Sequence, residues 1–141
     1  MSDEISYEIL TPYGSVGTGT CEMIVAPAVQ GEVGILKNHA PYLSALDVGV
    51  LRVKTNEGTK SIFINGGFIE VLNDKVVVLA ETSEASDEID VDRAKKSIER
   101  ASKRLEVGAV AADKDEPINR TRARRSLIRA KSRLKAAGQL Q

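Results

Sequence analysis

The spacing of apolar residues changes once along this chain, near residue 87, and that change constrains the fold more than any single motif. Before it, short runs rich in β-branched residues dominate: Met23, Ile24 and Val25, then 48–53, 61–64, 68–72 and 76–79. Turn chemistry separates them at Pro12-Tyr13-Gly14, Asn56-Glu57-Gly58, Gly66-Gly67 and Asn73-Asp74. Many short strands at roughly 8–12-residue spacing predict an all-β sandwich or barrel rather than a parallel sheet alternating with helices. After the change, Val91, Ala94, Ile98, Ala101 and Leu105 recur in steps of three and four, which lines them along one face of a helix. Asp90 stands at the N-cap position of that helix. Gly108 and the polar stretch Asp113-Lys114-Asp115 are expected to end it, and Asp115 and Pro117 to start a second helix. The second stripe is Leu127, Ala130, Leu134 and Ala137. Two amphipathic helices with a short connection predict an antiparallel hairpin. The expected fold is therefore mainly β plus α: an N-terminal β-sandwich over 1–86 followed by a C-terminal two-helix hairpin over 87–141. The hairpin's stripes are narrow and Ala-rich, so it buries little apolar surface and can change its arrangement when a partner competes for it.

Charge divides at the same place. Residues 1–87 carry 12 acidic and 5 basic side chains, a balance of −7, and residues 88–141 carry 8 and 15, a balance of +7. Opposite charge on the two units points to different partners for each. From Arg120 to Lys135 eight basic residues occur with no acidic one. Such a helix invites a nucleic-acid reading, but it has no interleaved aromatics and the remainder of the chain is acidic.

Enzymatic chemistry finds little support. His39 is the sole histidine and Cys21 the sole cysteine, 18 positions apart, which makes neither a metal-ligand set nor a nucleophile with its base. No Gly-rich phosphate loop is present. A lone thiol suits a reducing compartment and reads as a small apolar core residue. The opening MSDEISYEIL has no basic region followed by a long apolar stretch, so no secretory leader is expected. No segment approaches the ~20 apolar residues that span a bilayer. Membrane work, if any, is expected through another protein.

Several blocks, in order, resemble the epsilon subunit of F-type ATP synthases. Glu32 to Leu36, inside GEVGILKNHAPYLSALDVGVLRV, is similar to that family's GE-hydrophobic-GI pattern leading to HAP. FINGGFIEVLNDKVVVLAE, residues 63–81, resembles its GGF-hydrophobic-EV, turn and Val-rich strand. Ile89-Asp90-Val91-Asp92-Arg93-Ala94 fits its [IL]-D-x-x-R-A signature, and Thr11-Pro12 and the run from Met23 to Pro27 fit as well. Two positions depart from the pattern: Lys37-Asn38 stands for a common Pro-Gly, and Tyr13 for a common Asp. Asn tolerates left-handed backbone, so the turn at Asn38 is expected to survive.

The resemblance implies a non-catalytic central-stalk subunit. Its sandwich would pack against the gamma subunit and the c-ring, coupling them in proton-driven ATP synthesis. Its hairpin would fold on the sandwich or extend toward the alpha and beta subunits, where it restrains ATP hydrolysis. Some members bind regulatory ATP in the folded state; no other cofactor is implied. Carried over residue by residue, the nucleotide-binding positions are Glu84, Ile89, Asp90, Arg93, Arg100, Arg129 and Arg133. Arginine forks suit phosphate oxygens, and a carboxylate accepts from adenine or ribose donors. Asp90 is equally explained by capping, with Arg93 at N3 placed to pair with it, and the arginines by a solvated surface. Glu32 and His39 are implied c-ring contacts; turn formation explains them too. Arg122, Arg125 and Arg129 are implied contacts to an acidic loop of the beta subunit, a better partner for the basic helix than nucleic acid. The implied location is peripheral, on the cytoplasmic face of a bacterial inner membrane, ahead of the stromal face of a plastid thylakoid. The alternative reading is a stand-alone β-sandwich binding module with a basic nucleic-acid-binding helix.

Overall fold

The computed structural model describes residues 3–110 and 120–139. Eight strands precede two helices among them: β1 (Ile5–Thr11), β2 (Gly14–Cys21), β3 (Met23–Ala28), β4 (Gly31–Ile35), β5 (Tyr42–Thr55), β6 (Gly58–Leu72), β7 (Lys75–Ala80) and β8 (Ser83–Ala85). One 3-10 turn, Ser86–Glu88, leads to α1 (Val91–Val110), and α2 covers Arg120–Ala136. The strands form one sheet in the order β2-β1-β7-β6-β5-β3-β4, with β8 paired to β6. All pairings are antiparallel except β1 with β7.

The long strands β5 and β6 turn this one sheet into a sandwich. They pair along their whole length, from Thr55 opposite Gly58 to Tyr42 opposite Val71. Along β6 the core-facing positions are Ile62 and Ile64 in the first half, but Ile69 and Val71 in the second. Side chains alternate with period two along a strand, so this change of parity marks a corner. It falls at Gly66 and Gly67, whose φ angles are +77° and +137°. A Cβ on Gly67 would lie 1.9 Å from the Leu79 carbonyl oxygen, so only glycine fits this close approach. Partner β5 changes parity too, between Leu46 and Leu51. The Gly66-Gly67 pair, read from sequence as turn chemistry between strands and as edge or bulge glycines permitting close backbone approach, bends one continuous strand.

The folded sheet encloses fifteen buried residues, among them Ile5, Ile9, Cys21, Ile24, Ile35, Leu51, Ile64, Ile69 and Val78. Every layer contributes, so one core holds the sandwich together. The hairpins read as anticipated: Thr11 and Thr55 hydroxyls brace the β1–β2 and β5–β6 turns, and Asn73 and Asp74 both adopt positive φ (48° and 59°) between β6 and β7.

On the far side of the β5–β6 layer lies the helical hairpin. α2 contacts β5 and β6 directly, and α1 packs on α2. Ala94 and Ala101 of α1 and Ala123, Ala130 and Leu134 of α2 are buried. Val91, Ile98 and Leu105 are only half-buried, as are Leu127 and Ala137. Helix α1 runs through Gly108 to Val110, past the expected stop. The expected break at Asp113-Lys114-Asp115 and the start at Asp115 and Pro117 lie outside the described residues. The contact between hairpin and sandwich is small: Phe63, Ile89 and Ala136 are buried together, with Val48, Val50 and Ala137 at the margin.

Candidate functional site

The end of the sandwich and the start of α1 converge on one concavity. The Asp90 carboxylate accepts the Arg93 backbone N–H at 2.9 Å, capping α1 as its position requires. Arg93 follows through its amide rather than its guanidinium. The cap fixes the phase of α1, placing Arg93, Ser97 and Arg100 in line on one face. Across from them β8 presents Glu84 and α2 presents Arg133. The Arg133 Nε donates to both Glu84 carboxylate oxygens, at 3.1 and 3.2 Å. The same guanidinium lies over the Phe63 ring, 4.5 Å from its centroid. Glu84, Glu88, Asp90, Arg93, Ser97, Arg100 and Arg133 thus line a recess of about 280 Å³. A second recess of about 610 Å³ continues along α1 and shares Asp90, Arg93 and Arg100, adding Asp92, Lys96 and the ion-paired Glu99 and Lys103.

This groove is a cradle that sets arginines against carboxylates in equal number, with Arg133 already paired to Glu84 and Arg93 and Arg100 left to receive an anion. Arg93 and Arg100 are exposed, and among the described residues Arg100 donates to Ser97 Oγ at 3.4 Å. Arg93 makes no ion pair among the described residues. Guanidinium groups so placed can take phosphate oxygens bidentately, while Glu84, Glu88 and the outer oxygen of Asp90 can accept from base or ribose donors.

Five of the seven expected nucleotide positions come together here: Glu84, Asp90, Arg93, Arg100 and Arg133. Ile89 is buried beneath them against Phe63 and Ala136, a supporting place rather than a lining one. Arg129 lies one turn before Arg133 on α2 and donates to Ser126 Oγ at 3.2 Å, outside the recess. Glu88 and Ser97 line the recess without having been expected there. Phe63 was also missed, although a signal existed. With Ile62 and Ile64 facing the core, a large apolar residue between them must point outward and needs a cover.

The other expected residues are dispersed. Glu32 on β4 is paired with Arg52 of β5 at 2.6 Å, both substantially exposed. His39 follows β4; its Nδ1 is 2.7 Å from the Ala40 carbonyl and its ring meets Tyr42 edge-on at 5.8 Å. No contact joins Glu32 to His39 among the described residues. Arg122 and Arg125 are exposed on α2. A separate surface is apolar: the register puts Leu10, Leu79, Phe68 and Ala45 in one row across β1, β7, β6 and β5. Phe68 is 54% exposed, Leu79 48%, and Leu43 in the adjoining row 72%. Among the described residues no helix is long and apolar enough to cross a membrane, and no cluster of His, Cys, Asp and Glu could hold a metal ion.

Residues 4–86 match the family model for the β-sandwich domain of the ATP synthase delta/epsilon chain, and residues 87–138 match the one for its long α-helix domain. The chain belongs to the ATP synthase delta/epsilon family. Within it the chain is of the epsilon type, a non-catalytic subunit of a membrane-associated complex. It is 47% identical to the ATP synthase epsilon chain of Carboxydothermus hydrogenoformans over 105 residues, covering 74% of this chain and 78% of that one. The epsilon chain of Syntrophomonas wolfei is 50% identical over 101 residues, covering 71% and 74%. Among solved structures, a chain of the Euglena gracilis mitochondrial ATP synthase (OSCP/F1/c-ring) superposes with a TM-score of 0.79 at 21% identity, covering 97% of this chain and 82% of that chain. One from the Tetrahymena thermophila central stalk and c-ring gives 0.57 at 15% identity, covering 94% and 95%. At those identities the two structures speak to the shared fold.

Proposed function

We propose that this chain is a rotor subunit whose sandwich, 1–86, couples the gamma subunit to the c-ring and whose hairpin, 87–141, regulates ATP hydrolysis. The observation that carries the reading is the disparity between the two interiors. Fifteen buried residues hold the sandwich, whereas three buried and three marginal apolar residues, with the Arg133 contacts to Glu84 and Phe63, hold the hairpin to it. Each fully buried aliphatic contributes roughly 1.5–3 kcal/mol, so the hairpin can leave at a cost of a few such contacts while the sandwich stays folded. The apolar row of Leu10, Leu79, Phe68 and Ala45 is the surface offered to gamma, since an exposed apolar patch on a folded domain marks a protein contact. Glu32 and His39 are assigned to the c-ring, and Arg122, Arg125 and Arg129 to an acidic surface of the beta subunit. ATP is the ligand assigned to the cradle, where it favours the docked hairpin through its greater affinity for that arrangement. Bacterial relatives support a peripheral position on the cytoplasmic face of the inner membrane.

Co-purification tests this reading. The full chain and a form ending at residue 87 are both expected to be retained by gamma and the c-ring, and Phe68→Glu is expected to lose gamma. Salt-sensitive binding to duplex nucleic acid without any gamma association would favour the alternative module instead.

A further inference from the structure

The turn between β6 and β7 does more than reverse the chain. Its Asp74 carbonyl accepts the Ser6 backbone N–H at 3.0 Å, tying the turn to β1. Its carboxylate Oδ1 accepts the Asn38 backbone N–H at 2.7 Å, reaching across 36 positions of sequence. Asn38 itself adopts φ of +65° in the connection from β4 to β5. Next to it, His39 N–H donates to the Leu36 carbonyl at 3.2 Å, closing the turn. Leu36, Lys37, Asn38 and Ala40 are all exposed, so no buried side chain among them holds the connection in place. The charge-assisted hydrogen bond from Asp74 therefore ties the backbone of the left-handed residue preceding His39 directly to a second turn.

We infer that Asp74 is a positioning residue for the Leu36-to-Ala40 connection, and that its carboxylate presets how Lys37 and His39 are presented to the rotor ring. Asn tolerates positive φ by itself, so the carboxylate selects one arrangement of the connection and does not relieve strain at Asn38. The inference rests on the reading of this connection as the ring-facing surface. The clip itself does not.

The test uses the full chain, isotope-labelled, with Asp74→Gly and Asp74→Asn. Glycine keeps the positive φ of the turn and removes the acceptor; asparagine keeps both the backbone preference and a weaker acceptor. Asn38 amide exchange is expected to quicken about tenfold in Asp74→Gly, with partial rescue in Asp74→Asn. Binding of Asp74→Gly to a complex stripped of this subunit is expected to weaken several-fold, as with His39→Ala, at unchanged gamma affinity. Unchanged Asn38 exchange in Asp74→Gly would overturn the inference. So would weakened ring binding by His39→Ala alone, with Asp74→Gly binding like wild type. If His39→Ala binds undiminished, the ring-facing reading fails, while Asn38 exchange still decides whether Asp74 is the clip.

Discussion

Arg133 is fixed by two unlike partners, the Glu84 carboxylate and the Phe63 ring. Both ion-pair side chains are about a third exposed, at 31% and 33%, so the pair is screened and Glu84→Gln is expected to cost under about 1 kcal/mol. Phe63 is fully buried. Phe63→Ala should therefore cost roughly 3–5 kcal/mol, and Phe63→Leu, which keeps apolar bulk but loses the ring face, about 1–2. Urea unfolding of the three variants checks the order, and a Glu84→Gln loss exceeding that of Phe63→Leu would reverse it. Gly67 gives a sharper contrast. Gly67→Ala meets backbone 1.9 Å away, whereas Gly58→Ala, at a similar positive φ, has no atom within 4 Å. The first is expected to prevent a stable sandwich and the second to cost about 1–2 kcal/mol of backbone strain, read by thermal melting. Cys21 supplies a pH test. Burial pushes its thiol from the ordinary 9.0 up to about 11, opposed by a hydrogen bond with the Met23 backbone and aided by Glu4. The folded thiol holds its proton more tightly than the unfolded one. Its contribution is therefore complete below pH 9 and is lost as pH rises toward 11. Urea midpoints across that window should fall more for wild type than for Cys21→Ala.

At the scale of elements, the sandwich and the hairpin differ in what holds them. Removing residues 88–141 is expected to leave a cooperatively unfolding β-sheet domain, because α1 and α2 contribute no residue to the fifteen-residue core. Circular dichroism with urea unfolding checks this, and a non-cooperative transition would contradict it. The same difference explains what was legible in the sequence. Hairpin turns at Tyr13, Asn56 and Asn73 have local chemistry, and so does the Asp90 cap, so all could be placed from residues alone. At Gly66-Gly67 the residues suggest an edge or bulge with close backbone approach, but not that the strand runs on through a corner; the approach of Leu79, twelve residues on, decides that. Gly108 likewise costs a helix only about 1 kcal/mol relative to alanine, too little to stop α1. For the site, the [IL]-D-x-x-R-A signature located Asp90 and Arg93. The pairing of Glu84 with Arg133 and the exclusion of Arg129 depend on how α2 is rotated on the sheet, which its apolar stripe fixes only coarsely.

At the scale of the molecule, the −7 and +7 halves lie against each other through a small seam, and the cradle is built across that seam. Glu84 comes from the sandwich, Asp90 from the cap of α1, Arg93 and Arg100 from α1 itself, and Arg133 from α2. A ligand that bridges these three must stabilise the docked arrangement and oppose the extended one. In an assembled ATPase, the chain lacking residues 88–141 is expected to give faster hydrolysis than the full chain; equal rates would rule out an inhibitory hairpin. The most direct measurement is calorimetric titration of ATP into the full chain, alongside Arg93→Ala, Arg133→Ala and Arg129→Ala. One saturable site is expected, abolished by Arg93→Ala and Arg133→Ala and little changed by Arg129→Ala, which does not line the recess. No heat from the wild-type chain at millimolar ATP, or equal binding by the Arg93 and Arg133 variants, would contradict this.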